Sequence, residues 1–138
     1  MLLKPASREG ERVGRGQVKT VATVARAAGG DAVCERCAMA DNPLTRLKGL
    51  LGRHGLQSDE GLLIRPTFAI HTWFMRFPID VVFLDRELVI VDVVPEVHPW
   101  KMRARRGAKA VLELAAGESR RRGLRKGERL CLADARAA

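Results

Sequence analysis

A chain of 138 residues with 46% hydrophobic and 30% charged side chains has the make-up of one globular domain, which excludes a disordered polymer. Three cysteines, an odd number, do not suggest a disulfide framework, and no apolar run reaches the ~20 residues of a membrane helix. The formal charge of +9 invites acidic partners, but no aromatic residue interleaves with either basic cluster, which argues against nucleic acid.

The N-terminus is broken by Lys4 and Pro5 before a signal-peptide core forms, so the expected location is cytoplasmic. Residues 1–16 carry Gly10, Gly14 and Gly16 among alternating charges, the composition of a flexible basic arm. Residues 17–138 are expected to form a single compact β-rich domain. Residues 18–25 and 32–40 read as a hairpin about the turn Ala28-Gly29-Gly30-Asp31. Asn42 and Pro43 start a helix whose apolar face is Leu44, Leu47, Leu50 and Leu51, with Arg46 on another face. Residues 61–64 are a short strand, 68–76 an extended segment, and 79–84 a strand paired with 88–94. The last two are nearly continuous Val, Ile and Leu, which implies burial on both faces. Residues 95–100 form a loop between Pro95 and Pro99, and 101–109 an exposed basic connection. Strands at 110–114 and 128–133 flank a helical turn at 116–119. Seven or so short strands with one helix give a mainly β fold, a small antiparallel barrel or sandwich.

Blocks along most of this chain form a recognisable pattern. They are Arg46-Leu47-Lys48-Gly49-Leu50-Leu51-Gly52, Gly61-Leu62-Leu63, His71-Thr72, Met75 through Asp85, Pro99-Trp100, Val111 through Gly117, and Gly123 through Gly127. With them the chain resembles the bacterial and archaeal family known as domain of unknown function 192. Many members carry Trp-Met-Lys-Asn-Thr before a Pro-Leu-Asp, whereas here His71 and Thr72 fall where the Trp and Met would, and Trp73 and Phe74 at the Lys and Asn. Glu128 follows Gly127 where Asp is usual. The resemblance implies a compact, mainly β domain and no established activity.

Residues 70–85 also hold the groups that are costly to bury. Asp80 sits among Phe77, Pro78, Ile79, Val81 and Val82. A structural role, accepting backbone N–H bonds or holding Arg46, competes with a functional carboxylate. Imidazole as a side-chain type titrates near neutrality, which makes His71 the leading candidate for proton chemistry. Glu113, between two leucines, lines either solvent or a cavity. Candidate catalytic groups are therefore His71, Asp80 and Glu113, and candidate ligand-binding residues are His71, Thr72, Arg76, Asp80, Glu113 and Arg46. Cys34 and Cys37 have C-x-x-C spacing but would face opposite sides of a strand, and zinc would need two further ligands. The sequence assigns no metal and no cofactor. It also lacks a phosphate loop and a Ser-centred nucleophile motif. The leading functional reading is a non-catalytic domain that binds a small ligand or peptide. The alternatives are a hydrolase or lyase using His71 with Asp80 or Glu113, and a basic module that docks on an acidic partner or nucleic acid.

Overall fold

The computed structural model describes residues 20–40 and 54–133. The expected N-terminal arm, the expected helix after Asn42, and Arg46 lie outside them. Nine strands and one short helix occur among the described residues: β1 (Thr20–Arg26), β2 (Ala32–Ala40), β3 (Glu60–Ile64), β4 (Ala69–His71), β5 (Ile79–Leu84), β6 (Ile90–Val97), β7 (Met102–Ala104), β8 (Ala110–Ala115), α1 (Glu118–Arg121) and β9 (Leu130–Ala133). Seven strands form one sheet in the order β6-β5-β8-β3-β2-β1-β9, and β4 pairs with β7 as a separate two-stranded ribbon.

The mainly β reading of the sequence holds, as does the β1–β2 hairpin. Of the two expected forms, the sandwich is the consistent one. The sheet curls until a single bridge, Val89 to Arg129, links its two ends, but no continuous ladder closes it into a barrel. Pairing is antiparallel except between β2 and β3, which run parallel from Arg36↔Glu60 to Ala40↔Ile64. The sequence reading expected antiparallel pairing throughout. Parallel neighbours cannot be joined by a tight turn, and the connection from β2 to β3 spans residues 41–59, long enough for a crossover.

β5 and β8 are buried along almost their whole length, as their unbroken apolar sequence requires. Alternate residues feed two clusters. Val82, Leu84, Leu112 and Leu114 pack on one face with Val24, Leu63 and Leu130. Ile79, Val81, Phe83 and Val111 pack on the other with Leu62, Ile64, Ile70, Met75 and Phe77. The β4–β7 ribbon therefore contributes Ile70 to the second face. Gly61 stands where a side chain has no room, since a Cβ there would lie 2.8 Å from Cys34 Sγ and 2.8 Å from the Glu113 carbonyl oxygen.

Two local departures shape the rest. The β5–β6 register shifts between Ile79↔Val97 and Val81↔Val94, so β6 runs through Pro95 and Glu96 instead of ending before them. Pro95 is tolerated because the shift removes it from the regular ladder. The basic segment expected as a plain connection contains β7, whose Met102 lies opposite His71.

Candidate binding surface around His71

Two polar residues of the 70–85 stretch, Thr72 and Asp80, are fully buried. Asp80 is 0% exposed, and its carboxylate accepts five hydrogen bonds. Oδ1 takes the Glu96 N–H at 2.8 Å and the Gly117 N–H at 3.1 Å. Oδ2 takes the Gly117 and Ser119 N–H groups at 3.1 and 2.8 Å and the Ser119 hydroxyl at 2.6 Å. Short charge-assisted bonds of this kind offset the cost of burying an anion. A carboxylate has about four lone-pair sites, so this one is fully engaged. Of the readings open for Asp80, backbone anchoring is what the geometry displays. It fills the β5–β6 register shift and ties β6 to the start of α1.

Thr72 anchors backbone in the same manner at the end of β4. It is 0% exposed. Its N–H donates to the Lys101 carbonyl at 2.8 Å, and its own carbonyl accepts from Met75 at 3.2 Å and Trp100 at 3.0 Å. Its hydroxyl donates to the His98 carbonyl at 2.7 Å and accepts the Lys101 N–H at 2.9 Å. One residue thus fixes two turns, 72–75 and 98–101.

Those turns push aromatic side chains outward. Trp73, Phe74 and Trp100 are 43%, 60% and 61% exposed, and Met102 is 59% exposed. Phe74 and Trp100 meet edge to face with ring centroids 4.8 Å apart, and Trp73 stacks on His71 at 4.6 Å. Phe74 and Trp100 both have φ of 69°, the left-handed region that bulky L-residues rarely occupy. Phe74 sits at the third position of a hydrogen-bonded turn, where positive φ normally calls for Gly or Asn. Backbone held in such a state concentrates at functional sites.

Arg76 is exposed and donates to His54 Nε2 at 2.9 Å, which places the neutral His54 proton on Nδ1. Glu113 is 0% exposed and lies between Leu62 and Val81, so its side chain follows theirs to the second face of the sheet. Asp80 lies opposite Leu114 and points to the first face, so the sheet separates the two carboxylates. Strand alternation thus keeps Asp80 and Glu113 from sharing one site.

Cys34 and Cys37 correct another expectation. Both point into the first cluster, because the β1–β2 register shifts between Ala22↔Cys37 and Val24↔Cys34. A hydrogen bond with Cys34 and burial push the Cys37 thiol well above its usual range, which leaves it protonated and inert. Among the described residues no three His, Cys, Asp or Glu side chains could hold a metal ion.

Comparison with known proteins settles the family. The model of the uncharacterised ACR family, domain of unknown function 192, matches residues 24–132. The chain belongs to this family. Two solved structures share the fold of this member. One, a candidate transcription regulator from Sinorhizobium meliloti 1021, is 23% identical, with a TM-score of 0.73 over 84% of this chain and 95% of its own. The other, a protein of unknown function from Novosphingobium aromaticivorans DSM 12444, is 22% identical, with a TM-score of 0.68 over 81% of this chain and 84% of its own. No curated protein matches the chain. At these identities the likeness shows the fold alone. In this member of the family, the four positions His71-Thr72-Trp73-Phe74 hold the buried Thr72 anchor and the exposed Trp73 and Phe74 described above.

Sequence reasoning singled out His71 and Thr72 and did not foresee the exposed aromatic surface. Trp73 and Phe74 lie in the densest apolar run, and apolar runs ordinarily mark a core. It also missed the Glu118 clamp. Arg121 and Arg122 both donate to the Glu118 carboxylate, at 2.8 and 3.0 Å. The Arg121 bond leads in holding that carboxyl below the usual range, while burial opposes it. Among the described residues no helix is long and apolar enough to cross a membrane.

Proposed function

We propose that this domain is a non-catalytic binding module and that its ligand is an extended acidic peptide docked on the surface around His71. The observation that carries the reading is the exposure of Trp73, Phe74, Trp100 and Met102 at one end of the β4–β7 ribbon. Monomeric proteins rarely leave contiguous large apolar side chains in water without a use for them. Trp is also the residue type that most often anchors an interface. β7 pairs with β4 alone among the described strands, so its other edge offers backbone groups to an incoming strand. Arg76, Lys101 and Arg103 lie close to these residues along the chain and favour an acidic partner. The full engagement of Asp80, and its separation from Glu113, argue for binding over hydrolysis or elimination. Three free thiols, two of them buried, support a cytoplasmic setting.

Selection of random peptides on the wild-type protein tests this. Enriched peptides should carry Asp or Glu next to an apolar residue, and should bind Trp73→Ala and Trp100→Ala at least about tenfold more weakly. Enriched peptides that bind both variants as well as wild type would remove the site from this surface.

One observation favours a second reading. In space the aromatics do adjoin the basic segment, through the pairing of β4 with β7, so the arrangement also suits single-stranded nucleic acid. Steeply salt-dependent binding of an oligothymidylate, stronger than that of any acidic peptide, would select that reading.

A further inference from the structure

A second candidate site lies beyond the other end of β4. A hollow of about 440 Å³ opens between the Arg65–Pro66 segment, the β5–β6 turn and the start of β8. Its volume is within the range of small-molecule pockets. Three cations line it, Arg65, Arg86 and Lys109, against one carboxylate, Asp85. Among the described residues none of these three side chains has a hydrogen-bond or ion-pair partner. Five other arginines, Arg26, Arg36, Arg105, Arg121 and Arg122, each hold a carboxylate. Three cations without an ion pair among the described residues thus border one hollow. Like charges so placed repel each other and favour a bound anion.

The walls are built. Asp85 Oδ1 accepts the Glu87 and Val89 N–H groups at 2.8 and 3.0 Å and so fixes the turn that carries Arg86 and Leu88. Lys109 is held through its backbone N–H, which donates to the Leu84 carbonyl at 2.7 Å. Pro66, Leu88 and Ala110 give the hollow an apolar side. We propose that it binds a small phosphate ester, with the phosphate between Arg65, Arg86 and Lys109 and the organic moiety against Pro66, Leu88 and Ala110. A dianion with three terminal oxygens matches three cations better than a single carboxylate does, and the guanidinium fork suits it geometrically. Asp85 Oδ2 is not used in the turn bonds, and it accepts a hydroxyl of the ester. The site uses none of the residues of the His71 surface, so either proposal stands if the other fails.

The test is calorimetric titration of the full chain with ribose 5-phosphate, with free ribose as the control. Saturable binding in the millimolar range or tighter is expected for the phosphate and none for ribose. Arg86→Gln and Lys109→Gln should each weaken it about tenfold. Arg120→Gln removes the same charge from an exposed position on α1 and should leave binding unchanged. Circular dichroism of each variant checks that it is folded. No saturable binding, equal binding of ribose, or an equal loss in Arg120→Gln would overturn the proposal, the last by reducing it to net charge.

Discussion

Within residues 70–102 two polar side chains and three aromatic ones have exchanged their usual places. Asp80 and Thr72 are wholly buried, whereas Trp73, Phe74, Trp100 and Met102 stand in water. The two sets are linked. Thr72 anchors both turns that carry the aromatics, and Asp80 holds the β6 bulge that leads into the second of them. The comparison teaches that the buried polar groups form the scaffold and the exposed aromatics the working surface. It can be broken by changing either side and asking whether stability or binding responds.

The largest effect is expected at Asp80. Asp80→Asn keeps the shape but sets an amide against a ring of N–H donors, and should cost about 3 kcal/mol or more by chemical denaturation. A loss below about 1 kcal/mol would show that the carboxylate is not the anchor described here. Gly61→Ala comes next. Its Cβ would meet a backbone carbonyl that cannot easily yield, at a cost of about 2 kcal/mol, read from the same denaturation curve. Thr72→Val should cost about 1–2 kcal/mol and loosen both aromatic turns, and Thr72→Ser should restore most of that. Faster amide exchange at Met75 and Trp100, the two residues that donate to its carbonyl, is the local readout.

Effects on the exposed side should be small in stability and large in binding. Phe74→Gly relieves a left-handed backbone while losing the contact with Trp100, so stability should move by less than about 1 kcal/mol. Peptide affinity should fall all the same. The smallest expected effect concerns pH. Glu118 has its folded pKa depressed below the ordinary 4.5, chiefly by Arg121, so its stabilising contribution is present above that value. The contribution is lost as pH falls through the lower folded pKa. Acid titration followed by circular dichroism should show a shallower loss of stability in Glu118→Gln than in wild type.

Much of the fold was legible because its strands are written in unbroken Val, Ile and Leu. Residues 79–84 could be placed as a doubly buried strand from that alone and 110–114 as a buried one, and the structure makes them neighbours inside the sheet. Residues 88–94, expected to be buried on both faces, instead supply β6 at the end of the strand order, which is only partly covered. The parallel β2–β3 pair was not legible, since a strand sequence does not name its neighbour. The facing of Cys34 and Cys37 was misread because alternation fails at a register shift, and no residue type announces one. For the site, the cost of burying charge pointed correctly at Asp80, yet it could not say that backbone N–H groups 16 to 39 positions away would satisfy it. The aromatic surface was hidden for the opposite reason. Trp73 and Phe74 look like core until Thr72 is seen to hold their turn outward.

The chain's two tryptophans, Trp73 and Trp100, both lie on this surface, so their fluorescence reports on it alone. The direct measurement is tryptophan emission and acrylamide quenching during titration with a selected acidic peptide. The proposal predicts an emission maximum typical of water-exposed indole in the free protein, then a blue shift and protection from quencher that saturate together with binding. Saturable binding that leaves emission and quenching unchanged would contradict it, because the peptide would then be sitting somewhere else.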